Sequence, residues 1–280
     1  MVRTYRYRLS PTNAQARHLE SWLALTRELY NAALQERRDA WRKQTVRVSA
    51  YDQMRELPGL CKVRPEFGTV PIVVQRGAIR RLDRAFAAFF RRCKSGEKPG
   101  YPRFKGRGHW SSVLIDDLCG LPNRSPIVAG GKRLAVPLLG KIKLRVHRPL
   151  EGKPKAMRLT RDARGRWFVA LACAEVPAKP LPPTGKAVGI DLGLTHFLAT
   201  SDGATVPNMA PAKTARLALE RAHRRISRRR RGSKRRRAAI HLLARHHEHV
   251  ANVRRKRSIA LARALVCRYD TICVEKLNIK

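Results

Sequence analysis

The sequence predicts an α+β protein in two parts: strands framing long helices over the first two thirds, then an α/β region interrupted by a very basic helical insertion. Three observations carry this. Short alternating segments at the start and again before residue 174 read as strands of one small β-barrel. Apolar residues at helical spacing fill the stretch between them. After a proline-rich break, AVGIDLGLTHFLATSDGA (187–204) reads as two strands about a glycine turn, with one carboxylate, Asp191, ending the first.

Each element has its own signal. Residues 2–9, VRTYRYRL, alternate as a strand does, and Ser10-Pro11-Thr12 ends it and opens a helix. From Asn13 to about Arg42, Leu19, Trp22, Leu23, Leu25, Leu29, Tyr30, Ala33 and Leu34 recur at helical spacing, predicting one helix or a kinked pair. A short helix is expected over 50–55. A longer one is expected over about 71–93, with Val74, Ile79, Leu82, Phe86, Phe89 and Phe90 among its apolar positions. Strands are expected at 133–136, 141–146, 155–160 and 167–174, the last two joined by an Arg161–Gly165 turn. PAKPLPPTG (177–185) is too proline-dense for a helix and reads as an extended linker between the parts 1–176 and 186–280.

In the second part, 186–192 and 195–201 read as antiparallel strands, and Asp202-Gly203 as the tight turn into a third strand near Thr205. Residues 212–267 are helical in pattern, and 269–274, YDTICV, is a short apolar strand leading to Glu275. A β-meander with an acid on its first strand is how an RNase H-like domain opens. In that fold the later strand runs parallel to the first, about 4.8 Å away, and would bring Asp191 and Glu275 to one sheet edge.

Composition limits the partners. With 61 Lys and Arg against 20 Asp and Glu, the formal net charge is +41, and the excess is spread along the chain: residues 184–280 alone hold 23 basic and 6 acidic side chains. Such a field draws phosphate backbones over long range and gives salt-dependent affinity by counterion release. A hydrophobic content of 43% excludes a disordered tail. No run of about 18 apolar residues could cross a membrane, and the start is charged from Arg3 onward, unlike a signal peptide. Cys61, Cys93, Cys119, Cys173, Cys267 and Cys273 lack zinc-knuckle spacing and read as free, buried thiols in a reducing cytoplasm.

Two segments are candidate nucleic-acid contacts. In KSGEKPGYPRFKGRGHW (94–110), Lys98, Arg103, Lys105 and Arg107 alternate with Tyr101, Phe104 and Trp110. Stacking platforms beside phosphate-neutralising cations suit RNA or single-stranded DNA, and aromatics docked into the core are the other reading. In HRRISRRRRGSKRRRAA (223–239), Arg224, Arg225, Arg228, Arg229, Arg230, Arg231, Lys234, Arg235, Arg236 and Arg237 have almost no acids to pair with. They predict a phosphate-tracking helical hairpin turning at Gly232-Ser233. His241, His246, His247 and His249 read as helix surface, Asp202 as a turn residue and His196 as packed or solvated. Asp191 and Glu275 are the candidate catalytic residues and metal ligands. Oxygen donors suit a hard cation such as Mg2+, and phosphodiester hydrolysis at such sites uses two ions roughly 3.5–4 Å apart.

The segments YRYRLSPTNAQ (5–15), LYNAAL (29–34), RAFAAFFRRCKSGEKPGYPRFK (84–105), GRWFVAL (165–171), GIDLGLTHFLATSDG (189–203) and ICVEKLNI (272–279), in this order, resemble the OrfB/TnpB-type proteins of bacterial insertion sequences, relatives of type V CRISPR effectors. The resemblance covers nearly the whole chain. It implies a wedge-like β-barrel interrupted by a helical recognition lobe, here about 11–93, followed by a RuvC-like nuclease domain. It also implies a transposase-type, transposon-encoded, RNA-guided endonuclease in the prokaryotic cytosol or nucleoid, with a guide RNA and DNA as partners and Mg2+ as cofactor. Asp191 and Glu275 match the first two catalytic carboxylates, and Gly100–Lys105 matches a segment near the nucleic-acid channel. The family continues with a four-cysteine zinc ribbon and a third catalytic aspartate, which these 280 residues do not contain, and Ala260 stands where a lysine is usual. The expectation is therefore an incomplete RuvC domain with impaired cleavage. A catalytically inactive DNA- or RNA-binding remnant is the alternative, and a ribosomal-type RNA-binding protein fits the charge but not the paired acids.

Overall fold

The computed structural model describes residues 1–116, 118, 126–127 and 131–275. Cys119 and the part of ICVEKLNI beyond Glu275 lie outside them; of the described cysteines Cys173 is buried, Cys61 half-buried, and Cys93, Cys267 and Cys273 are exposed, against the expectation of burial. The chain forms two compact units, Met1–Ala178 and Lys179–Lys280, dividing inside the proline-rich segment.

The first unit begins with β1 (Arg3–Ser10), followed by α1 (Asn13–Gln44), α2 (Ala50–Val63) and α3 (Ile72–Lys94). Then come β2 (Ser112–Ile115), β3 (Arg133–Val136), β4 (Gly140–Arg145), β5 (Lys153–Arg161) and β6 (Trp167–Ala174). The six strands form one antiparallel sheet in the order β2-β5-β6-β1-β4-β3. Among the described residues β2 and β3 do not pair, so the expected barrel is an open, curled half-barrel. Alternation in β1 puts Tyr5, Tyr7 and Leu9 in the core and Arg6 and Arg8 in solvent, as period-2 geometry requires.

Helix α1 is one uninterrupted helix, not a kinked pair. A capping box starts it: the Thr12 hydroxyl accepts from the Gln15 amide at 3.3 Å, and the Gln15 carboxamide accepts from the Thr12 amide at 3.0 Å. Gln15 also donates to the Leu139 and Lys141 carbonyls, fixing the helix start to the β3–β4 turn. Helix α2 runs eight residues past the expected end, through Pro58. Packing of Met54, Leu57, Leu60 and Cys61 against the core outweighs the lost backbone bond at that proline. Strand β2 had no expectation at all. Helix α3 lies directly on it: a Cβ added at Gly77 would sit 2.3 Å from the Leu114 carbonyl oxygen, so only glycine permits the approach. One hydrophobic cluster joins α1, α3 and the inner face of the sheet, with Trp22, Leu34, Ile79, Leu82, Ile115, Met157 and Leu171 among its fully buried members.

The second unit holds β7 (Ala187–Asp191), β8 (His196–Thr200) and β9 (Thr205–Pro207). A single turn α4 (Pro211–Thr214), helices α5 (Arg216–Ser227) and α6 (Lys234–Arg268), and β10 (Thr271–Val274) complete it. Its sheet order is β10-β7-β8-β9, with β10 parallel to β7 and the other pairs antiparallel. Helices α5 and α6 form the expected hairpin, reversing through Gly232 at φ +83° before Ser233 caps α6. Buried apolar side chains are few among its described residues: Val188, Leu198, Ala222, Ala239, Val250 and Tyr269. Among the described residues no helix is long and apolar enough to cross a membrane.

Candidate carboxylate pair and nucleic-acid interface

Parallel pairing of β7 with β10 places Val274 opposite Ile190, and the same register continued by one residue sets Glu275 opposite Asp191. Both side chains lie at exposed positions at the ends of neighbouring strands. Adjacent parallel strands are about 4.8 Å apart, within the reach of two carboxylates sharing one cation. Among the described residues neither acid makes a hydrogen bond or an ion pair. The donor set is all oxygen, which fits a hard divalent ion. No group of three or more potential metal-ligating side chains occurs among the described residues.

The other acids of this unit's sheet, Asp202 and Asp270, lie at the opposite end of β7 and β10 and are engaged. Asp202 accepts from the Tyr269 hydroxyl and pairs with Arg268 at 3.6 Å, and the hydrogen bonds from Tyr269 and Thr200 hold its carboxyl below the usual aspartate range. It therefore serves the β8–β9 turn and its tie to the α6–β10 junction. Asp270 accepts from the Thr184 amide and hydroxyl and from the Gly185 amide, so these backbone donors lower its pKa too. His196 sits exposed at the start of β8. His247 packs edge-on against His223 at 6.0 Å, joining α6 to α5.

The basic hairpin presents its cations outward. Arg224 and Arg225 lie on α5, Arg228 to Arg231 in the turn, and Lys234, Arg235, Arg236 and Arg237 on the first turn of α6; only Arg229 and Arg236 are half-buried. Arg221, Arg224, Arg225, Arg228 and Arg229 line a shallow concavity of about 480 Å³. Glu220 pairs with Arg216 at 3.3 Å and Arg224 at 3.7 Å, leaving most of the run for an external anion.

The segment between α3 and β2 carries Lys98, Tyr101, Arg103, Phe104, Lys105 and Arg107, and its aromatics differ in how far they are held by the core. Tyr101 packs against Phe86 and Phe89, while Phe104 has no ring partner among the described residues. Trp110 is docked: its indole N–H donates to the Thr26 hydroxyl at 2.9 Å and Arg81 lies over its ring at 4.2 Å. Three residues that fasten the segment, Thr26, Asn31 and Arg81, escaped the sequence reading because nothing local distinguishes them from other helix positions.

Comparison with known proteins identifies the family of the chain. Residues 171–280 match the OrfB_IS605 family model, described as "Probable transposase", and residues 1–45 match a helix-turn-helix model of the same family. In this chain the latter stretch is β1 and the single helix α1. A relative from Streptomyces pristinaespiralis, described as a "Putative RNA-guided DNA endonuclease", is 32% identical over 99% of this chain and 67% of its own length. The chain belongs to the OrfB/TnpB family. Another OrfB/TnpB relative, InsQ of Escherichia coli K12, described in the same words, is 24% identical over 72% of this chain and 47% of its own. The OrfB/TnpB chain is also similar to a solved Cas12f1-sgRNA-target DNA complex, with a TM-score of 0.49 and 13% identity, covering 95% of this chain and 66% of that one. A CRISPR-Cas12f ternary complex gives 0.36 and 15%, covering 93% and 63%. The chain thus spans about two thirds of these proteins and half of InsQ.

Proposed function

We propose that this chain is the guide- and DNA-holding portion of a transposon-encoded RNA-guided DNA endonuclease, with Asp191 and Glu275 as the first two ligands of a RuvC-type Mg2+ site. The observation that carries the reading is the pair of unneutralised carboxylates that the β7–β10 register sets on adjacent strands of an overwhelmingly basic protein. The wedge-like half-barrel, the helical lobe and the basic hairpin are read as the surfaces that hold a guide RNA and DNA. Asp191 and Glu275 would hold the ion, which supplies an activated water and charge stabilisation for phosphodiester cleavage. The protein's own part is to orient these two oxygen donors on rigid strands and to gather phosphates with the arginines of 224–237. Two carboxylates fall short of the ligand set that a two-ion mechanism needs, so cleavage by these 280 residues is expected to be impaired while binding persists.

The test compares the unaltered chain with Asp191→Ala and Glu275→Ala in Mg2+-dependent cleavage of a DNA target matched to a bound guide. Slow cleavage by the unaltered chain, abolished by either substitution, is the expected result. Cleavage that persists in both variants removes the carboxylate pair from the reading. Absence of cleavage in all three, with nucleic acid still bound, favours the catalytically inactive binding protein.

A further inference from the structure

The Gly100–Lys105 segment is fastened on both sides of two residues that are not fastened at all. On one side, Tyr101 packs edge-on against Phe86 at 5.6 Å and Phe89 at 5.4 Å, and Pro102 is buried. On the other, the carboxamide of Asn31 grips the backbone of Lys105 twice: it accepts from the Lys105 amide at 2.8 Å and donates to the Lys105 carbonyl at 3.1 Å. Arg103 and Phe104 bridge these pins with exposed side chains, and the Phe104 ring is 45% exposed without an aromatic partner among the described residues. A bare phenyl group in water gains nothing by itself. Held between two anchors it is pre-organised, so a ligand that covers it loses little backbone entropy.

We propose that Arg103 and Phe104 form a subsite for one unpaired nucleotide, Phe104 stacking on the base and Arg103 meeting its phosphate, and that Asn31 is the residue that positions them. This rests on the nucleic-acid reading above and assigns its chemistry. A base in a duplex hides both faces in the stack, so the subsite selects unpaired strand; stacking on phenyl is tolerant of sequence because every base has a π-face. Tyr101, whose ring already has two partners, is an anchor and not a platform. Asn31 reaches Lys105 because it lies one helical turn beyond Arg27, which also donates to the same carbonyl at 3.5 Å.

The experiment measures binding of the 280-residue chain to a short single strand and to its duplex, in RNA and DNA arms that separate the two sources of an unpaired base. Phe104→Ala is expected to weaken single-strand binding by roughly 5- to 100-fold with an unchanged salt slope. Arg103→Ala is expected to lower that slope by about one. Asn31→Ala should weaken binding at least as much as Phe104→Ala does, with only a small lowering of the thermal melt, and the double variant should lose less than the sum of the two single losses. Single-strand binding unaffected by Phe104→Ala, or losses that simply add in the double variant, would overturn the proposal while leaving the broader reading in place. If the unaltered chain binds neither strand nor duplex, that broader reading fails as well.

Discussion

At the scale of single residues, the hydroxyl of Thr26 connects helix and loop. It donates to the Trp22 carbonyl and accepts from the Trp110 indole, all three groups being buried. Thr26→Val keeps the shape and removes the acceptor, stranding a buried N–H. The expected cost is roughly 1–3 kcal/mol, read as a lowered urea midpoint with an unchanged slope. Such residues were illegible in the sequence. Thr26 and Asn31 sit in a helical pattern whose apolar positions account for the helix without them, and their partners lie 84 and 74 residues away. Asp191 and Glu275 were legible for the opposite reason: each ends a short apolar run, where a charged side chain stands out without any knowledge of its neighbours.

Among elements, α3 and β2 approach each other closely at Gly77. Gly77→Ala improves helix propensity by about 1 kcal/mol in an exposed helix. Here the new methyl meets the Leu114 carbonyl, so the expected net result is destabilisation of about 1–3 kcal/mol with β2 displaced, measurable by chemical denaturation. β2 was missed in the sequence because four residues between loops give too few alternations to register, and α2 was cut short because Pro58 is a local stop signal that tertiary packing overrides. The clasp of Asp270 on Thr184 and Gly185 responds to acid. Its folded pKa lies below the unfolded one, so its contribution is full above the ordinary aspartate value of about 3.9 and drains away as pH falls through the lower folded value. Amide exchange at Gly185 should accelerate in that window, and Asp270→Asn should remove the pH dependence.

For the whole molecule, charge sets the behaviour toward polyanions. With a net charge of +41, affinity for any nucleic acid is expected to fall steeply and log-linearly with salt, and neutralising Arg228, Arg229, Arg230 and Arg231 together should flatten that slope by up to about 3–4. Titration of binding between low and moderate salt checks this; an unchanged slope would place the hairpin away from the strand. The overall plan was readable because each layer left its own trace: alternation in β1, helical spacing in α1, proline density at 177–185 and an arginine run with almost no acids beside it at 223–239. The open edge of the half-barrel was not, since strand count alone does not say whether a sheet closes.

The fold makes no use of Asp191 or Glu275. They stand exposed at strand ends with no partner among the described residues, and the large hydrophobic cluster lies in the first unit. Substitution at either position should leave the melting behaviour nearly untouched. On the assignment proposed above, that independence has a corollary: substitutions at the two carboxylates are invisible to selection on folding. A chain that has lost either carboxylate can then keep the same fold and the same basic surface.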